Sequence, residues 1–177
     1  EGVGMFIFQF WGLYFDEAKG LPLTDVRVRE ALSYAINRQD IIDYTLNGYG
    51  RPSMPFATFP TSVEVDAPRG QKWAKETLVY DPDRSKALLK EAGYGDGLEL
   101  TMWSTNFSGT PYMNDISQAL GGFWEDIGVK VDLKVVEGGI WRPMTRKKGN
   151  SKWDQAMNGD ISIYRNAGRP LPVPRYN

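Results

Sequence analysis

The 177-residue sequence predicts an α/β fold, a small mixed sheet flanked by helices, and three observations carry that expectation. VKVDLKVV, residues 129–136, alternates strictly: Val129, Val131, Leu133 and Val135 share one face, Lys130, Asp132 and Lys134 the other, which is the period of a half-exposed strand. TPYMNDISQALGGFWEDIG places Met113, Ile116, Leu120, Phe123 and Ile127 on one face at helical spacing. The second half then reads strand, helix, strand, helix, strand, an order that calls for crossover connections within one sheet.

The elements follow in order. MFIFQF, Met5 to Phe10, is rich in β-prone side chains and predicts a strand. Thr24 or Asp25 can cap the next helix, where Val28, Ala31, Leu32, Ala35 and Ile36 recur at helical spacing. Arg27, Arg29 and Glu30 fall mostly on its other face. Asn37 can cap a second short helix, RQDIIDYTLN, that Gly48 would end. From Gly48 to Tyr80 the periodicity dissolves into a proline-rich stretch, expected as a long ordered loop or an excursion between lobes. Asp81 caps a further helix with Pro82 at its first position, where the missing N–H does no harm. Its buried stripe is expected at Ala87, Leu88 and Ala92, and its end at Gly93. LELTMW, Leu98 to Trp103, predicts a strand. Thr110 is the expected cap of the following helix, with Pro111 at its first position and Gly128 as its stop. After the alternating strand come a short helix from about Trp141 to Lys148 and a last strand at WDQAMNG, residues 153–159. Residues 1–97 thus make a helical and loop-rich part with one N-terminal strand, 98–160 a small α/β sheet unit, and 161–177 an irregular tail.

Composition excludes several kinds of chemistry. Apolar residues make up 41% and charged residues 24%, a globular balance. The net charge is −1, and the one basic run, Arg146 to Lys148, suits a helix C-terminus better than a nucleic acid. With no histidine and no cysteine the serine triad, most zinc sites, thiol nucleophiles and disulfides are unavailable. The adjacent acids Glu125 and Asp126 point in different directions on a helix and cannot flank one bond. No Walker loop, GxGxxG motif or metal-ligand cluster is present, so neither enzyme activity nor a cofactor or metal is expected. MFIFQFWGLYF, residues 5–15, is too short for a membrane span and lacks the flanks of a signal peptide. The start at Glu1 suggests a processed chain or an excised piece.

Four segments carry a resemblance. PLTDVRVREALSYAINRQDII, residues 22–42, resembles the helix signature of extracellular solute-binding proteins of the oligopeptide, dipeptide and nickel group, family 5, the capture components of ABC importers. YDPDRSKALLKEAGYGDGLELTM is similar to their Tyr-Asp-Pro block, with Ser85 and Lys86 shifting the small residue from its usual place. FWEDIGVKVDLKVVE resembles their helix-to-strand passage, and GYGRPSMPF their exit from the first helices. The resemblance implies a lobe of the periplasmic-binding-protein type in which the first helix is scaffold, its arginines structural. It also implies a second lobe outside this chain, closure around a peptide, opine or similar small solute, and delivery to an ABC permease. A monomer is expected, located in the periplasm or outside the cell and held at the membrane through the permease or a lipid anchor, with no nucleic-acid partner. A ligand-sensing module of a transcriptional regulator is the alternative use of the same fold; an upstream helix-turn-helix would mark it.

A binding lobe places its aromatic walls and polar groups at the carboxyl ends of sheet strands. Trp103, Ser104, Thr105 and Asn106 follow the strand begun at Leu98; Glu137 and Trp141 follow the alternating strand; Gly159 and Asp160 follow the expected last one. The two tryptophans serve equally well as core or hinge packing. The chain's end departs from the family pattern, and Asp160 is the acid nearest to the place where peptide-binding members anchor a ligand's amino terminus.

Overall fold

Residue pattern becomes local structure most directly at the helix starts. In the computed structural model, which describes residues 5–10, 13, 18–50, 52, 72, 75–106, 111–144 and 157–166, Asp25 caps helix α1, Val26–Tyr34, its Oδ1 accepting from the Arg27 amide at 2.8 Å. Asn37 caps α2, Arg38–Asp40, which passes into a π-helical turn over Ile41–Thr45. Asp81 caps α3, Pro82–Glu91, with Pro82 in its first turn. Each side-chain oxygen satisfies one of the amides that a helix leaves unpaired at its start. Val28, Ala31, Leu32, Ala35 and Ile36 are all buried, as their spacing predicts.

The arginines of α1 and α2 are scaffold. Arg29 donates to the Leu23 and Thr24 carbonyls, at 2.8 and 2.9 Å, holding the short 3₁₀ turn at Pro22–Thr24 against the helix. Arg27 grips Asp25 and reaches the Glu91 carbonyl, at 2.7 Å. Arg38 donates to the Ser33 and Ile36 carbonyls at the end of α1, and burial pulls its guanidinium down to about 10.

Among the described residues four strands form one mixed sheet: β1, Met5–Phe10; β2, Leu98–Asn106; β3, Val129–Glu137; and β4, Ile161–Asn166. The order is β1-β4-β2-β3. β2 runs parallel to β3 and β4, while β1 is antiparallel to β4. Helix α4, Met113–Glu125, connects β2 to β3, as a parallel pair requires. A short helix α5, Gly138–Met144, follows β3. The core lies between α1, α3 and α4 and one face of the sheet. It is built from Leu32, Leu89, Met102, Ile116, Leu120, Trp124, Ile161 and Ile163, among others. Trp124 is fully buried and donates its indole N–H to the Leu32 carbonyl at 2.9 Å, tying α4 to α1.

Several expectations need correction. The last strand lies at Ile161–Asn166, inside the stretch expected to be an irregular tail. Of the predicted strand, residues 157–159 are a turn and 153–156 lie outside the described residues. The sheet therefore takes β1 from the first segment and β4 from the last. Helix α4 starts at Met113 with Tyr112 at its cap; Pro111 sits in the preceding turn, and Thr110 lies outside the described residues. Helix α5 begins at Gly138, earlier than Trp141, with residues 145–148 outside the described part. Ala87 is exposed; α3 buries Ser85 and Leu89, with Leu88 and Ala92 at the margin. Most of the 48–80 loop also lies outside the described residues.

Candidate functional site

Strand β2 sorts its side chains by the two-residue period. Leu100, Met102 and Ser104 face α4. The Ser104 hydroxyl donates to Asn114 Oδ1 at 2.8 Å and accepts from Ser117 at 2.9 Å, so it is committed to the helix–sheet layer. Glu99, Thr101 and Trp103 project from the opposite face. Because β2 and β3 are parallel and in register, Glu99 stands beside Lys130 and Trp103 beside Lys134. Both neighbours interact: Lys130 Nζ lies 2.8 Å from Glu99, and Lys134 Nζ sits 5.2 Å from the Trp103 ring centroid.

The β2–β4 register brings in the third component. Ser162 pairs with Trp103, so Asp160, two residues earlier, belongs to the same face. Trp103 Nε1 donates to Asp160 Oδ2 at 2.6 Å. Asp160 precedes β4 where the sequence had placed it after a strand, and the Met157–Gly159 turn fixes it there. In that turn the Asp160 amide donates to the Met157 carbonyl at 3.0 Å. Gly159 adopts φ +85°, and a Cβ at that position would lie 2.9 Å from Leu21 Cδ1. The positive φ favours glycine, and any side chain there would also have to displace the tip of Leu21.

Burial pushes the Asp160 carboxyl above the usual carboxylate range. The Trp103 hydrogen bond and the positive charge of Lys134 oppose that push, and Asp132 adds to it. Lys134 is paired with Asp132 at 3.3 Å. Among the described residues the carboxylate's one hydrogen bond is that from Trp103 to Oδ2.

The other predicted positions lie toward the strand ends. Thr105 is fully buried, and its hydroxyl has no hydrogen-bond partner among the described residues. Asn106 and Glu137 are the paired last residues of β2 and β3; Glu137 is exposed, while only the backbone of Asn106 is described. Helix α5 packs against both strands and buries Trp141 to 6% exposure. Thus Trp103 and Asp160 meet directly, Asn106 and Glu137 share a register position, and Ser104 turns to the core. The sequence reading omitted Lys134 and Asp132 from the site. Their alternation put them on the polar face, but their alignment with Trp103 depends on strand register. Among the described residues no cluster of histidine, cysteine and acids could hold a metal ion, and no helix is long and apolar enough to cross a membrane.

The sheet thus carries α4 on one face and, on the other, an indole and a carboxylate joined across two strands. The chain belongs to the bacterial extracellular solute-binding proteins, family 5, whose middle-region pattern matches residues 6–175. It is 36% identical over 131 residues to the glutathione-binding protein GsiB of Salmonella typhimurium, covering 74% of this chain and 24% of that protein. It is 31% identical over 131 residues to the GsiB of Escherichia coli K12, with the same shares covered. The chain thus spans about a quarter of the length of the curated relatives it matches. Its fold is shared with MoaA of A. tumefaciens R10, solved with mannopinic acid (TM-score 0.66, 24% identity, 93% of this chain and 28% of that one). It is likewise shared with a dipeptide-binding protein of Pseudoalteromonas sp. SM9913, solved with Met-Leu (TM-score 0.61, 20% identity, 93% and 28%).

Proposed function

We propose that the protein containing this chain captures a small solute, a peptide or an amino-acid conjugate, for an ABC importer at the cell surface or in the periplasm. It works by closure of two lobes without turnover, and this chain contributes one wall of the cleft. The observation that carries the reading is the Trp103–Asp160 pair on the sheet face opposite α4. An indole provides an apolar wall, and the half-buried carboxylate can accept from an ammonium or amide donor. Family membership and the printed ligands of the relatives, glutathione and dipeptides, support the same class. Glu137 at the end of β3, Trp141 in α5, and Thr105 and Asn106 at the end of β2 are the further positions assigned to this end of the wall. Ligand preference for the closed form would be read by the permease as a population shift.

Calorimetry on the full-length protein tests this with glutathione, Met-Leu and mannopinic acid as probes. Binding of at least one probe at micromolar level, weakened in Trp103→Ala and Asp160→Asn, is the expected result. Binding of none of the three, or equal affinity in both variants, overturns it.

A further inference from the structure

Trp103 is held from two sides by charged groups, one just before β4 and one on β3. Asp160, before β4, receives its indole N–H in the ring plane at 2.6 Å; Lys134, on β3, stands over its face at 5.2 Å from the centroid. Lys134 is in turn held by Asp132, 3.3 Å away on the same strand. An in-plane hydrogen bond fixes rotation of the indole within its plane, and a cation over the ring fixes its tilt, because the negative π-face attracts the charge. The arrangement runs across three adjacent strands and leaves Trp103 half-exposed. A large exposed side chain on a strand otherwise samples several rotamers, and a ligand that needs one of them must select it at the expense of affinity. We propose that Lys134, steadied by Asp132, is a positioning residue that presets the Trp103 indole plane against Asp160 for the incoming solute. This rests on the reading of Trp103 as part of the binding wall. Lys134 needs no contact with the solute; it acts through the ring.

Indole NMR on the ¹⁵N-labelled full-length protein tests the bracing without any ligand. The Trp103 Nε1–H signal is identified by its loss in Trp103→Phe. It should shift with a single inflection as acid protonates Asp160, and lose that inflection in Asp160→Asn. The charged groups facing Asp160 are Lys134 and Asp132 on β3. Lys134→Met should move or broaden the signal and weaken binding of the calorimetric probe by roughly two- to fivefold. Lys134→Arg, which keeps a cation over the ring, should restore both. A Trp103 signal at the wild-type position in Lys134→Met overturns the proposal and leaves the binding-wall reading standing. If the signal moves while Trp103→Phe binds the probe as tightly as wild type, the binding-wall reading fails, and the positioning role with it. Loss of affinity that Lys134→Arg does not restore also overturns it, since a geometric role needs only the cation.

Discussion

Replacing Asp160 by asparagine separates what the carboxylate does for a ligand from what it does to the fold. Burial raises the Asp160 carboxyl, so the folded protein takes up that proton more readily than the unfolded chain. The ionised group therefore opposes folding near neutral pH, and the opposition is relieved as pH falls through the raised folded-state value. Asparagine can still accept the Trp103 N–H. Asp160→Asn is thus expected to raise the thermal midpoint of the unliganded protein at about pH 7, with the gap narrowing toward about pH 4, while weakening probe binding. A lowered midpoint at neutral pH would show that the charge serves the fold. Arginine makes the contrast. Arg29 bonds two backbone carbonyls of its own segment, so Arg29→Ala should lower stability by about 1–2 kcal/mol with little effect on affinity. Trp103→Ala should do the reverse, costing about 2 kcal/mol of binding, roughly thirtyfold in Kd. Denaturant titration and calorimetry on each variant distinguish the two. Trp103 and Asp160 were both legible as polar or aromatic residues near strand ends. Their bond was not, because it joins positions 57 apart through a β2–β4 register that no local pattern encodes.

At the scale of elements, legibility follows how local the determining physics is. The caps Asp25, Asn37 and Asp81 act on amides two or three residues away, and all three hold in the structure. The alternating strand exposes Lys130 and Asp132 and turns Val131 and Leu133 toward the core, but Val135 is 47% exposed because it lies beyond the reach of that core. Ser85, which departs from the family spacing, is the small residue at the α1–α3 crossing: it is fully buried and donates to the Ala31 carbonyl at 2.8 Å. The last strand lies later than expected because the segment WDQAMNG ends in the Met157–Gly159 turn, and the strand begins only beyond it, at Ile161. That turn is also a point of vulnerability. Gly159→Ala forces a side chain into a left-handed conformation and against Leu21, and should destabilise the protein by roughly 2–3 kcal/mol. Because Asp160 follows directly, the same variant should lose the acid-induced inflection of the Trp103 indole. Wild-type denaturation behaviour would mean that the turn relaxes without strain.

For the whole molecule, the deciding fact is that this chain spans about a quarter of the length of its curated relatives, yet its sheet, core and one candidate wall are all internal to it. A two-lobe binding protein covers most of a small ligand's surface, so a single wall supplies only part of the contact and leaves the other face of the solute in water. It also lacks the closure that excludes water and strengthens each polar contact. If the full-length protein binds in the micromolar range, about 8 kcal/mol, then loss of half the contacts leaves about 4 kcal/mol, a millimolar affinity. Residues 1–177 alone should therefore bind glutathione or Met-Leu at millimolar level or weaker, while the full-length protein binds its solute at least a hundredfold more tightly. The comparison is informative only if the segment is folded. The Trp124 indole signal reports this directly, because its bond to Leu32 joins α4 to α1 within the segment. A folded segment that matches the full-length affinity would place the whole binding surface on this chain and remove the need for a second wall.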